Sequence, residues 1–102
     1  MAVRASNDTF EAEIKSGAVL ADFYSDSCVP CKRMSPLLAE IEEENSSVKV
    51  VKLNINFDAE TAEKYNVSAV PTLIFFKDGS EVTRITGAVK KQDILDALNK
   101  LN

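Results

Sequence analysis

Cys28 and Cys31 are the only cysteines in this 102-residue sequence, and Val29 and Pro30 separate them. A Cys-x-x-Cys pair admits three kinds of chemistry: a metal site, a structural staple, or a dithiol that opens and closes reversibly. A zinc site takes about four ligands. With two thiols and no histidine the sequence falls short unless carboxylates or a second chain contribute. A staple across a two-residue spacer closes so short a loop that the chain-entropy gain is only about 2 kcal/mol. The redox reading explains the spacing, because sulfurs on the first turn of a helix can meet, and it explains Pro30, which suits such a turn. It is the leading one. Cys28, outermost on the turn, is then the attacking thiolate, favoured by the helix N-terminus and by the cations of Lys32 and Arg33. Cys31, deeper in the helix, is the resolving thiol, and the product is a reversible Cys28–Cys31 disulfide.

Asp22 is the next candidate, since a carboxylate inside the otherwise apolar run from Ala18 to Tyr24 is expensive to bury as a charge. Burial should raise its pKa. On residue type alone it reads as a structural polar residue near a strand end.

The elements that must position these groups can be read from periodicity. Residues 18–24 are nearly continuous in apolar character, as in a parallel strand covered on both faces. From about 31 to 44, Met34, Leu37, Leu38 and Ile41 form the stripe of an amphipathic helix with Pro36 inside it. Residues 48–53 read as the next strand, so strand, helix and strand make a right-handed parallel crossover. Upstream, residues 3–5 are a short strand, and the Ser6-Asn7-Asp8 cluster is placed to cap a helix that carries Phe10 and Ile14 and stops at Gly17. Downstream, Asp58 is placed to cap a helix over about 59–65, with Asn66 suited to a left-handed end. Strands over 72–76 and 81–85 flank Asp78-Gly79, a hairpin signal that makes the sheet mixed. A last helix, about 90–101, turns Ile94, Leu95, Leu98 and Leu101 to one side.

At this length one domain, residues 1–102, is expected, with no linker or internal repeat. Hydrophobic residues at 45% and charged residues at 27% are those of a globular chain. A formal net charge of −4 argues against nucleic acid, whose phosphates demand a basic footprint. No apolar run approaches the roughly 18 residues of a membrane span, and the first residues lack the apolar stretch of an export signal. A cytoplasmic protein is expected. Thiols are held reduced there, which favours a working dithiol over a purely structural disulfide.

The sequence also resembles the thioredoxin family. The likeness runs through Ala21-Asp22-Phe23-Tyr24, Cys28-Val29-Pro30-Cys31-Lys32, Pro36, Lys52-Leu53-Asn54, Val70-Pro71-Thr72, Phe76-Lys77-Asp78-Gly79 and Gly87, in the family's order and over most of the chain. It implies an α/β, thioredoxin-like fold, a mixed five-stranded sheet flanked by four helices, and reduction of protein disulfides by dithiol–disulfide exchange. It implies that Asp22 is the buried acid that assists proton removal from Cys31, with Lys52 on the adjacent strand as its partner. It implies a cis Val70-Pro71 bond packed against the cysteines. A substrate groove of Val29, Pro30, Val70, Pro71 and Ala88 would let the backbone of Val70 pair with an extended segment, with Gly87 leaving space for it. No bound cofactor is implied. The expected partners are protein disulfides and a flavin-containing thioredoxin reductase, fed by a nicotinamide or by ferredoxin, with the protein itself a monomer.

The departures are informative too. Ser27 stands where the family usually has tryptophan and Val29 where it has glycine, while Tyr24 and Asn56 replace a common tryptophan and a frequent aspartate. These neighbours of Cys28 bear on redox potential and partner choice. Two other classes share the fold: an oxidase or isomerase of an oxidising compartment, and a scaffold that uses the fold without the chemistry.

Overall fold

A computed structural model describes residues 2–102. In chain order it contains β1 (Val3–Arg4), α1 (Phe10–Ile14), β2 (Ala18–Tyr24), α2 (Val29–Glu44), β3 (Val48–Asn54), α3 (Ala59–Lys64), β4 (Thr72–Lys77), β5 (Ser80–Thr86) and α4 (Lys91–Asn99). The strands form one sheet in the order β1-β3-β2-β4-β5. β1 and β2 lie parallel to β3, whereas β4 runs antiparallel to β2 and to β5. The expected mixed five-stranded sheet with four helices is what the chain builds.

β2 is central and buried on both faces, which is why its sequence does not alternate. Successive side chains point to opposite faces, so Val19, Ala21 and Phe23 meet Phe10 and Ile14 of α1 and Ala62 of α3. Leu20 meets Met34, Leu38 and Ile41 of α2 and Ile94, Ala97 and Leu98 of α4. Asp22, two residues beyond Leu20, therefore shares the α2 face. An aromatic knot fills the opposite side, with the Phe10 ring centroid 5.4 Å from Phe23, 5.1 Å from Tyr65 and 6.0 Å from Phe76.

Two helix starts are built differently from the expectation. Thr9, not the Ser6-Asn7-Asp8 cluster, holds the cap position of α1, and no side chain caps it. Asn7 serves α3 instead: its Oδ1 accepts from the Thr61 N–H at 2.9 Å and from Thr61 Oγ1 at 2.6 Å. Asp58 occupies the α3 cap position, yet its Oδ1 accepts from the Asn7 N–H at 3.0 Å rather than from its own helix. The two acceptors are exchanged between segments about fifty residues apart, a pairing that local sequence cannot express.

The β4–β5 hairpin turns at Asp78 and Gly79, whose φ of 49° and 85° are the left-handed values a two-residue turn of this kind needs. Gly17 anchors that turn, donating to Asp78 Oδ1 at 2.7 Å and accepting from the Asp78 N–H at 3.0 Å. Asn66, at φ 57°, follows α3 in the left-handed region as expected. Arg84 of β5 donates to the Tyr65 carbonyl at 2.9 Å and ties that end down.

Candidate functional site

The C-terminal ends of β2 and β3 and the start of β4 lie at one end of the sheet, because Tyr24 pairs with Asn54 and Phe23 with Thr72. α2 begins at that end. Its cap residue is Cys28, in extended backbone, and Pro30 lies in the first turn, where a missing N–H breaks no helical bond. The helix starts at Val29, earlier than the expected position near 31, since a valine followed by a proline carries no helical periodicity.

Cys28 and Cys31 are joined as a disulfide, with Cα atoms 5.2 Å apart. Their surroundings differ. Cys31 is buried at 4% exposure, whereas Cys28 is half-buried and flanked by Val29, exposed at 58%. Cys28 Sγ accepts the Cys31 N–H at 3.1 Å, one of the helix's otherwise unsatisfied first N–H groups. When the disulfide is open, the same N–H and the positive end of a 16-residue helix favour charge on that sulfur.

Asp22 is buried at 1% exposure and its Oδ1 has no hydrogen-bond partner among the described residues. Burial pushes the carboxyl up from 3.8 to about 6, against the downward pull of the Lys52 cation. Lys52 is the register partner of Asp22 on β3. Its Nζ nevertheless donates to Ser35 Oγ at 3.1 Å and lies 5.5 Å from the centre of the Tyr24 ring. A narrow cavity of about 120 Å³ reaches Cys31 between Tyr24, Asp26 and Ser35. Beside it a cleft of about 700 Å³ opens along α2, with Lys52, Tyr24 and Ser35 in its wall.

The residues expected to form a groove divide. Pro71 is buried and follows a cis Val70-Pro71 bond, and Val70 is half-buried. The Gly87 N–H donates to the Pro71 carbonyl at 2.8 Å, which brings the turn after β5 to the same end. Gly87 sits at φ 96° with nothing near the position a Cβ would take, so backbone conformation rather than space calls for glycine. Pro30 and Ala88 are exposed.

Several features of this end escape sequence reasoning. Ser25 Oγ donates to Asn56 Oδ1 at 3.2 Å and lies 3.2 Å from Ser27 Oγ, while Asn54 Nδ2 donates to Asp26 Oδ1 at 3.0 Å. These bonds fasten the loop after β3 to the loop before Cys28. Phe57, on the first of these, is 77% exposed. Among the described residues no group of three or more potential metal ligands occurs, and no helix is long and apolar enough to cross a membrane.

Comparison with known proteins agrees with this arrangement. The family model described as Thioredoxin matches residues 1–100. A thioredoxin of Chlamydia pneumoniae is 41% identical over 95 residues, 93% of each chain. Another, from Chlamydia caviae, is 43% identical over 95 residues, again 93% of each. A thioredoxin of Bacillus subtilis is 39% identical over 99 residues, covering 96% of this chain and 95% of its own.

Proposed function

Because the chain belongs to the thioredoxin family, and so is a thiol-disulfide oxidoreductase with protein disulfides as substrates and a thioredoxin reductase as partner, we propose how its residues divide the work. Cys28 attacks and Cys31 resolves. The observation that carries this order is the difference in access, with Cys28 half-buried at the helix cap and Cys31 enclosed beneath it.

The Cys28 thiolate attacks one sulfur of the substrate disulfide; a Cys28–substrate bond forms, the substrate S–S bond breaks, and one substrate thiolate leaves. The Asp22 carboxylate then takes the proton of the Cys31 thiol. The Cys31 thiolate attacks Cys28 Sγ, which forms the internal disulfide and expels the second substrate thiolate. Two electrons pass from the dithiol to the substrate, whose thiolates take up two protons. Lys52, in register with Asp22, moderates the basicity of that carboxylate. Val29, Pro30, Val70, Pro71 and Ala88 form the groove, in which an extended substrate segment pairs with the Val70 backbone.

The working unit is the single domain of residues 1–102. It acts as a cytoplasmic monomer, re-reduced by a flavin-containing reductase that draws on a nicotinamide or on ferredoxin. Reducing chemistry suits the cytoplasm, where thiols persist. The exposed large apolar side chains among the described residues, Val29, Phe57 and Val82, are too few for the apolar core of an obligate dimer, which supports the monomer.

Cys31→Ser trapping in a native lysate tests the order of attack. With the resolving thiol gone, targets should stay attached through Cys28 and come off with dithiothreitol. No capture, or capture that persists in the Cys28→Ser/Cys31→Ser double variant, refutes it. In a dithiothreitol-driven reduction of a soluble disulfide protein, Cys28→Ser should lose the catalysed rate, and an unchanged rate would identify a scaffold instead.

A further inference from the structure

Ser35 lies four residues after Cys31, one turn further along the same side of α2. Lys52 and Asp22 face α2 from neighbouring strands in register. The ordinary partner for an ammonium beside a buried carboxylate is that carboxylate, yet here the Lys52 Nζ goes to the Ser35 hydroxyl at 3.1 Å and to the face of Tyr24, and Asp22 Oδ1 is left without a hydrogen bond. Ser35 also walls both the narrow cavity that reaches Cys31 and the larger cleft that holds Lys52. Ser35 thus holds the cation and borders the cavity at the resolving thiol.

We propose that Ser35 is a positioning residue for the exchange reaction: its hydroxyl draws the Lys52 ammonium onto α2 and off the Asp22 carboxyl, which keeps that carboxyl available to take a proton from Cys31. The proposal rests on the reading of Asp22 as the proton acceptor. A lysine in direct contact with a desolvated carboxylate favours its ionised form and makes it a weaker base. Held on a neutral hydroxyl, the same cation only tempers the effect of burial, as the raised Asp22 value reflects. The other groups around Asp22 do not supply this control. β4 places uncharged Leu73 opposite Asp22 and Lys52 is the charged group that acts on it, while Lys32 and Asp26 line the narrow cavity at Cys31.

The test is titration of the Asp22 carboxyl by carbon-13 NMR in the oxidised protein, together with the pH profile of mixed-disulfide release in the reduced one. Ser35→Ala should let Lys52 close on Asp22 and lower its midpoint by about one pH unit, tenfold in acid dissociation. Ser35→Thr should restore it. On a Lys52→Met background, Ser35→Ala should move the midpoint no further. An unmoved or raised midpoint in Ser35→Ala, or the same drop without Lys52, overturns the placement of the cation by Ser35 and leaves the proposed function standing. A midpoint that moves while the release profile stays fixed overturns the catalytic half, and with it the role of Asp22.

Discussion

Replacing Asp22 by asparagine should make the oxidised protein more stable at neutral and alkaline pH, and the size of the effect follows from burial. The folded carboxyl titrates at about 6 and its ordinary value is 3.8. A group whose folded pKa is raised binds more protons in the native state, so stability falls as pH rises from the unfolded value through the folded one. The difference of about two pH units, at 1.36 kcal/mol each, comes to about 3 kcal/mol. Half of the unfolded carboxyls are already ionised at about pH 4, so about 2 kcal/mol of this separates about pH 4 from about pH 8. Asparagine has nearly the same shape and does not ionise, and it replaces a group whose Oδ1 is already without a partner. Urea unfolding of both forms at several pH values, with the disulfide intact so that neither cysteine titrates, gives two curves whose difference isolates Asp22. The difference should grow by about 2 kcal/mol over that range, about 10 °C in Tm for a domain of this size. A flat difference would refute the claim that Asp22 is buried as a strained carboxylate.

Asn7→Ala removes the acceptor for two bonds from Thr61 and should cost about 1–2 kcal/mol of unfolding free energy by urea denaturation, with amide exchange accelerated first in α3. A loss confined to α1 would contradict the exchanged caps. Phe10→Ala opens a cavity among Phe23, Tyr65 and Phe76 and should cost about 3–5 kcal/mol by the same measurement, while leaving the reaction of Cys28 with a small thiol-specific reagent unchanged in the reduced native protein.

Sequence reading works here where the signal is local. β2 is recognisable because burial on both faces removes alternation, and the hairpin because Asp78-Gly79 adopts the left-handed backbone that those residues tolerate. The Cys-x-x-Cys spacing marks the redox pair, and one carboxylate in an apolar strand marks the buried group whose pKa burial raises. What stays hidden depends on distant residues. β5 carries an extra residue at Val82, since Glu81 pairs with Phe76 and Thr83 with Phe75, and nothing in the run itself reports the irregularity. Asn7 and Asp58 look like caps for their own helices and become caps for each other's segments. Lys52 reads as the partner of Asp22, and the strand register agrees, but the end of its side chain is drawn away by a serine on another element.

That last displacement links stability to reaction. If Lys52 closed on Asp22, the carboxyl would titrate lower, the penalty for keeping it charged in the core would shrink, and the fold would gain at neutral pH what the resolving step loses in base strength. The two consequences are one quantity seen twice, because a proton that binds less tightly to the native state weighs less against it. A one-unit drop in the Asp22 midpoint in Ser35→Ala must therefore halve the pH dependence of stability that Asp22 contributes, from about 3 to about 1.5 kcal/mol. The hydrogen bond lost with the serine shifts the whole curve and leaves this slope alone, so the slope measures where the cation sits. Agreement between the NMR midpoint and the slope would tie both to Lys52, and a slope that keeps its wild-type value would show that the ammonium never left its place.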